Sequence, residues 1–119
     1  MTDQNTFPSN KPLWVVIVNW NQAQLTEACI NSFENQVREF DFTMLIIDNG
    51  SKDHSVDYLR IRFPGINIIS LPKNLGFAGG YNHGLRTAYN ASAEHILIVN
   101  NDTVADGELL KNLLYGSKE

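Results

Sequence analysis

Four short apolar runs, each breaking off into polar residues, limit what this chain can fold into more than any other feature. They are Leu13 to Val18, Phe42 to Ile47, Ile66 to Leu71 and His95 to Val99. The last is the clearest, because Ile96-Leu97-Ile98-Val99 runs straight into Asn100-Asn101-Asp102-Thr103. A run of this length, apolar at every position and rich in β-branched residues, reads as a strand of a parallel sheet buried on both faces. Between the runs, apolar residues recur at helical spacing. Leu25, Cys29, Phe33 and Val37 form one stripe, with Ala28 beside them; Val56, Leu59 and Phe63 form a second. Phe77, Tyr81, Leu85 and Ala88 form a third, and Leu109, Leu110, Leu113 and Leu114 a fourth. Alternating strands and helices make βαβ units with right-handed crossovers. The expected fold class is α/β, a doubly wound, Rossmann-like three-layer α/β/α arrangement with a mostly parallel sheet of about four strands.

Local signals punctuate that pattern. Asn21 followed by Gln24 approximates a capping box for the first helix, which is expected to end near Gln36. Asp53 or Ser55 is expected to cap the second helix, Pro64-Gly65 to stop it, and Asp106 to cap the last. Residues 1–12 are polar, carry Pro8 and Pro12, and read as a loose leader; residues 116–119 read as a tail or a cut, so the half-domain looks truncated. A leucine-rich last helix on a half-domain leaves apolar surface that favours self-association into a homo-oligomer.

Composition narrows the function classes. With 119 residues the chain is one domain or part of one, and a formal net charge of −4 argues against a non-specific nucleic-acid binder. The single Cys29 rules out an internal disulfide and fits a reducing cytoplasm. No apolar run approaches the roughly 20 residues a membrane helix needs, and no signal peptide is evident.

In an open parallel sheet, ligands bind beyond the carboxyl ends of the strands. Gathered there are Asn19-Trp20-Asn21, Asp48-Asn49-Gly50-Ser51, Lys73-Asn74 and Asn100-Asn101-Asp102. This set is rich in carboxylates and amides and poor in nucleophiles. Carboxylate oxygens suit Mg²⁺ or Mn²⁺, above all a cation also held by phosphates. Amides suit directional recognition of a base or ribose. The glycines from Gly76 to Gly80 follow the third strand rather than the first, so they are not a dinucleotide fingerprint, and no Walker A loop occurs. Lys73 either reaches a phosphate or is solvated. Trp20 could stack on a base, but an aromatic closing a core strand is more often packing, and that is the expectation. Cys29 is expected to be an inert core thiol, and His54, His83 and His95 to be structural or superficial, with His83 alone worth testing.

Four segments together resemble a known family. They are Val15-Val16-Ile17-Val18-Asn19-Trp20-Asn21, Ile46-Ile47-Asp48-Asn49-Gly50-Ser51-Lys52-Asp53, the stretch from Asn74 through Gly76-Phe77-Ala78-Gly79-Gly80 to Asn82-His83-Gly84, and Ile98-Val99-Asn100-Asn101-Asp102-Thr103. In order and spacing they are similar to family 2 glycosyltransferases of the GT-A fold, with the flavour of the rhamnosyltransferase-like subgroup. The resemblance covers about residues 13–115 and implies the nucleotide-sugar-binding half of such a domain. It implies that Asp48 holds the nucleotide base, that Asn19 and Asn21 line the nucleotide pocket, and that Asn74, Gly76 and Asn82 pass near the ribose and diphosphate. Asn100-Asn101-Asp102 takes the place of the family's DxD motif, with Asn100 at its first acidic position and Asp102 as the metal ligand.

The activity implied is transfer of a sugar from a UDP-, GDP- or dTDP-sugar, with a divalent cation, to a hydroxyl of a glycan or lipid-linked acceptor, with inversion. The cytoplasm, or the inner face of a membrane, is the location this implies. The base that deprotonates the acceptor is expected beyond residue 119. The alternative is a non-catalytic nucleotide-sugar-binding or interaction module. A nucleotidyltransferase would want a basic glycine-rich loop directly after the first strand, and the first turn contains no glycine.

Overall fold

The computed structural model of the chain describes residues 13–35, 42–110 and 112. Its strands are β1 (Leu13–Asn19), β2 (Phe42–Asp48), β3 (Asn67–Ser70) and β4 (His95–Val99), and its helices α1 (Ala23–Glu34), α2 (Ser55–Arg62) and α3 (Gly76–Asn90). The sheet is wholly parallel in the order β3-β2-β1-β4. The chain builds outward from β1 through β2 to β3, then crosses back and lays β4 on the other side of β1. That reversal opens a crevice between the carboxyl ends of β1 and β4, where doubly wound sheets bind ligands. The register sets Asn19 beside Asp48 and Asp48 beside Ser70, so the polar strand ends finish level.

The period of two along β1 explains the three layers. Leu13, Val15 and Ile17 point to one face and pack with Cys29, Ile30 and Phe33 of α1 and Leu59 of α2. Trp14 and Val16 point to the other and pack with Tyr81 and Ala88 of α3. β1 and β2 are therefore apolar on both faces, as the continuous runs predict. β4 departs from that expectation. Among the described residues it pairs only with β1, and Ile98 is 43% exposed, so the run with the most buried-looking sequence lies at an edge.

Three local expectations are corrected. The stripe that α1 buries is Thr26, Cys29, Ile30 and Phe33, whereas Leu25 and Ala28 face solvent. A threonine displaces a leucine from the interior because its hydroxyl finds two partners there. The Asn21–Gln24 capping box does not form: Gln22 is the N-cap and caps with no side-chain bond. Asn21 instead takes a left-handed backbone with φ 54°, and its Oδ1 accepts the Lys52 amide at 2.8 Å. At α2 neither Asp53 nor Ser55 is the N-cap: His54 takes that position with a left-handed backbone at φ 65° and no side-chain bond, while Asp53 Oδ1 accepts from the Ser55 amide at 3.0 Å and from the Ser55 hydroxyl.

The glycine-containing segment is helical from Gly76 onward. At the far end, Asp106 Oδ1 accepts the Glu108 amide at 2.9 Å, and the chain turns helical at Leu109 and Leu110, which pack on the α1 side of the sheet. Val37, Leu113 and Leu114, the leader at 1–12 and the tail at 116–119 lie outside the described residues. No helix among the described residues is long and apolar enough to cross a membrane.

Close approach of α3 to the sheet depends on Gly84. A Cβ there would stand 2.4 Å from Val16 Cγ1 and 3.3 Å from Ile47 Cγ1, both on strands fixed from two sides. Gly84→Ala is expected to destabilise the fold by about 1–3 kcal/mol, the usual cost of overpacking, measured as a lowered midpoint in urea. On the opposite layer Cys29 is fully buried, and burial, aided by the negative charge of Asp102, pushes its thiol up to about 11 from 9.0. The rise from 9.0 to about 11 cuts the thiolate fraction at pH 8 about a hundredfold, so a thiol reagent should label native protein at least that much more slowly than urea-unfolded protein. Because the unfolded thiol ionises first, stability should hold below pH 9 and fall as pH rises toward about 11.

Candidate functional site

The crevice is organised from Asp48 outward. Asp48 is 1% exposed, so its carboxylate must be satisfied within the protein. Its Oδ2 accepts the Ser51 amide at 2.9 Å, and its Oδ1 accepts the Ser51 hydroxyl at 2.7 Å and Asn19 Nδ2 at 3.0 Å. The Asp48-Asn49-Gly50-Ser51 turn is thereby closed on its own first residue and stitched to β1. Ser51 Oγ also accepts the Asn21 amide at 2.8 Å, and the Asn49 amide donates to the Asn19 carbonyl at 2.8 Å. Gly50 sits at φ +76°, and a Cβ there would fall 2.5 Å from the Lys73 carbonyl carbon, so the turn can lie against the Lys73-Asn74 backbone only with glycine.

Asn49 pins the segment that enters α3. Its Oδ1 accepts the Leu75 amide at 2.9 Å and its Nδ2 donates to the Gly76 carbonyl at 3.0 Å. Asn74 Oδ1 accepts the Gly76 amide at 2.7 Å. Tyr81 closes the gap to β4 by donating its hydroxyl to the Val99 carbonyl, and burial holds that phenol protonated above its ordinary range.

The third element is the loop after β4, which rests on one face of α1. Asn101 Nδ2 donates to Gln22 Oε1 and to Thr26 Oγ1, each at 3.1 Å. Cys29 Sγ faces the Asn100 carbonyl at 3.8 Å, and the Ala105 amide donates to Ser32 Oγ at 3.0 Å. Positions 22, 26, 29 and 32 recur at helical spacing, so one polar edge of α1 carries the loop from end to end.

These pieces enclose a cavity of about 470 Å³, within the range of small-molecule sites. Asn100, Asn101 and Asp102 line it from β4, Asn49, Asn74 and Gly76 from the β2 and β3 side, and Val18 and Gln22 from β1 and the start of α1. Trp20, Phe77 and Tyr81 supply the aromatic lining, with Phe77 and Tyr81 edge to face at 4.7 Å between ring centres. Trp20, expected as packing, is 49% exposed and lines the cavity, because β1 ends before it and no core lies beyond the strand.

Of the residues expected at the site, Asn74, Gly76, Asn100 and Asp102 meet in this cavity. Asn19 and Asp48 do not line it and are buried. Asn21 lines a separate depression with Gln24 and Tyr58, and Asn82 is exposed on α3, away from the lining. Asn49 is the telling omission from the expected set, and strand alternation could have found it. Ile46 packs on the α1 side of the sheet and Ile47 on the α3 side, so Asp48 follows the first and Asn49 the second. Phe77 and Tyr81 lie within the third family segment but were singled out only for their helical spacing, and Gln22 carried no signal of its own.

The donor set is one carboxylate, Asp102, among amides. No group of three or more His, Cys, Asp or Glu among the described residues could hold a metal ion. Such a set cannot cage a cation by itself, but it suits one carried largely by a ligand's phosphates.

Known proteins share this architecture. Staphylococcus aureus TarS, in a structure of residues 1–349 with UDP-GlcNAc, superposes with a TM-score of 0.72 at 22% identity, over 86% of this chain and 30% of that one. The mannosyltransferase PcManGT from Pyrobaculum calidifontis, solved with GDP-Man and Mn²⁺, gives 0.60 at 20% identity, over 76% of this chain and 27% of that one. The uncharacterized protein Rv1525 of Mycobacterium tuberculosis is 33% identical over 92 residues, which are 76% of this chain and 31% of the relative. This chain therefore spans under a third of the length of that relative. The profile of glycosyl transferase family 2 matches residues 14–117, nearly the whole sequence, and the chain belongs to that family.

Proposed function

We propose that residues 13–115 form the donor-binding half of a sugar-transfer enzyme that uses a nucleotide-diphosphate sugar. The observation that carries this reading is the cavity itself. Family membership and the strand-end crevice coincide at Asn74, Gly76, Asn100, Asn101 and Asp102. Asp102 would hold the divalent cation, Mg²⁺ or Mn²⁺, that accompanies the donor diphosphate. When bound, that cation neutralises charge gathering on the leaving diphosphate. The mannosyltransferase of the same architecture was solved with Mn²⁺, and the amide-rich lining of this cavity is compatible with the same arrangement.

The remaining residues divide by layer. Asn49 and Asn74 hold the backbone of the 74–76 segment against the ligand, and the exposed indole of Trp20 offers a face for the base. Asn19, Asn21 and Asp48 act from behind, setting the turn that carries Asn49. Asn82 lies outside the cavity and contributes to α3 rather than to the donor. In the full reaction an acceptor hydroxyl of a glycan or lipid-linked molecule attacks the sugar from the face opposite the nucleotide, with inversion. The rhamnosyltransferase-like motifs favour that subgroup, and the cytoplasm is where such donors are available.

One observation favours a narrower role for this polypeptide by itself. Among the described residues, Asp102 is the only carboxylate in the cavity lining, and no histidine joins it there. One acid committed to a metal leaves no second group there to take the acceptor's proton. The isolated chain then binds the donor without transferring it.

Calorimetric titration with UDP, GDP and dTDP, with and without Mn²⁺, tests the reading. Mn²⁺ should strengthen binding of one nucleotide, and Asp102→Ala should remove that increment while leaving the fold's thermal midpoint unchanged. Absence of binding to all three overturns the donor-site assignment. Trp20→Ala should weaken the same binding by about 0.5–1.5 kcal/mol, the scale of an aromatic stack. Release of free sugar from a donor without acceptor would exclude the purely binding role.

A further inference from the structure

Thr26 belongs to none of the four motifs, yet it is fully buried at the junction of the two loops that frame the cavity. Its hydroxyl donates to Asn19 Oδ1 at 2.6 Å and accepts from Asn101 Nδ2 at 3.1 Å. Asn19 passes the connection on, because its Nδ2 donates to Asp48 Oδ1 at 3.0 Å. A continuous side-chain chain thus runs from Asn101 through Thr26 and Asn19 to Asp48.

Its direction is fixed at the Asp48 end. A carboxylate only accepts, so Asn19 must turn its NH₂ toward Asp48 and its carbonyl toward Thr26. Thr26 has one proton, which that carbonyl takes, so toward Asn101 the hydroxyl can only accept. Asn101 must then turn its NH₂ inward to Thr26 and Gln22, and its Oδ1 is the group left for the cavity it lines. Each bond polarises the next, and all protons lie toward the buried negative charge.

The geometry points to Thr26 as a positioning residue: through it the Asp48 cluster fixes the orientation of the Asn101 amide and the placement of the Asn100–Asp102 loop over the donor cavity. This rests on the donor-site reading for its functional consequence, while the tie between the loops stands on the hydrogen bonds alone. A purely structural threonine at this position would need only its volume. A positioning threonine needs its hydroxyl.

Thr26→Val keeps the shape and removes the hydroxyl; Thr26→Ser keeps the hydroxyl and removes the methyl. The experiment reads the side-chain amide resonances of Asn19 and Asn101 and hydrogen exchange at the backbone amides of residues 100–103, together with calorimetric affinity for UDP, GDP and dTDP in Mn²⁺. In Thr26→Val both side-chain resonances should move, the loop amides should exchange faster, and nucleotide affinity should fall about tenfold, the scale of one buried hydrogen bond lost. Thr26→Ser should restore all three toward wild type. Wild-type resonances and exchange in Thr26→Val overturn the relay, whatever the nucleotide data. An altered loop with unchanged affinity overturns the positioning role in binding. A wild-type protein that binds none of UDP, GDP and dTDP overturns that role together with the donor-site reading, while an altered loop in the same experiment still upholds the tie. If Thr26→Ser behaves as Thr26→Val, volume rather than the hydroxyl is what matters, and the assignment falls.

Discussion

The structure depends first on satisfying one carboxylate out of reach of water. Asp48 lies at the end of a central strand, almost fully buried and with no salt bridge to a described residue, so donors must be brought to it or the fold bears the cost of a bare buried charge. Three donors come from the turn that follows it and from β1. Hydrogen bonds to a charged acceptor contribute about 1.5–3 kcal/mol each, enough to hold the turn and the strand end in one arrangement. That arrangement carries Asn49 into place, which in turn fixes the entry to α3. From Asp48 the same demand propagates through Asn19 to α1 and to the loop after β4. The cavity is a consequence of meeting that demand.

The sheet separates support from contact. On its α1 face lie Asn19, Thr26 and Asp48, buried and saturated with one another. The cavity is lined from Val18, Asn49 and Tyr81, whose layer is that of α3, and from Gln22 and the Asn100–Asp102 loop that the buried cluster supports. Adjacent residues such as Asp48 and Asn49 therefore play opposite parts, because consecutive side chains of a strand leave by opposite faces. A rigid, fully bonded layer behind a partly open polar one is the arrangement expected where a ligand must be met by groups that do not rearrange.

Much of this was legible in the residues. The four apolar runs became four parallel strands, and three of the helical stripes became helices at nearly the expected positions. Their polar ends do converge, and four of the eight expected site residues share one cavity. The misses have specific causes. Thr26 and Leu25 exchanged places on α1 because a buried hydroxyl with two partners outcompetes a leucine that must face one side or the other. Asn21 abandoned its cap for a cross-loop bond to Lys52 that no local pattern encodes. Trp20 is exposed because the strand ends one residue too soon for it to reach a core. β4 is half-exposed at an edge although its composition matches that of the central strands.

Periodicity, strand-end chemistry and motif order are properties of the sequence by itself, and they determined the α/β class, the parallel sheet and the family. They depend on spacings along the chain, which folding does not alter. Strand order, the face each polar residue takes, and the bond from Asn19 to Asp48 were decided only by the tertiary structure. These turn on which groups meet across 29 to 75 residues of sequence, as in the Asn19–Asp48 and Asn101–Thr26 bonds. A buried acceptor chooses among all donors within reach in space, and the sequence carries no distance in that sense.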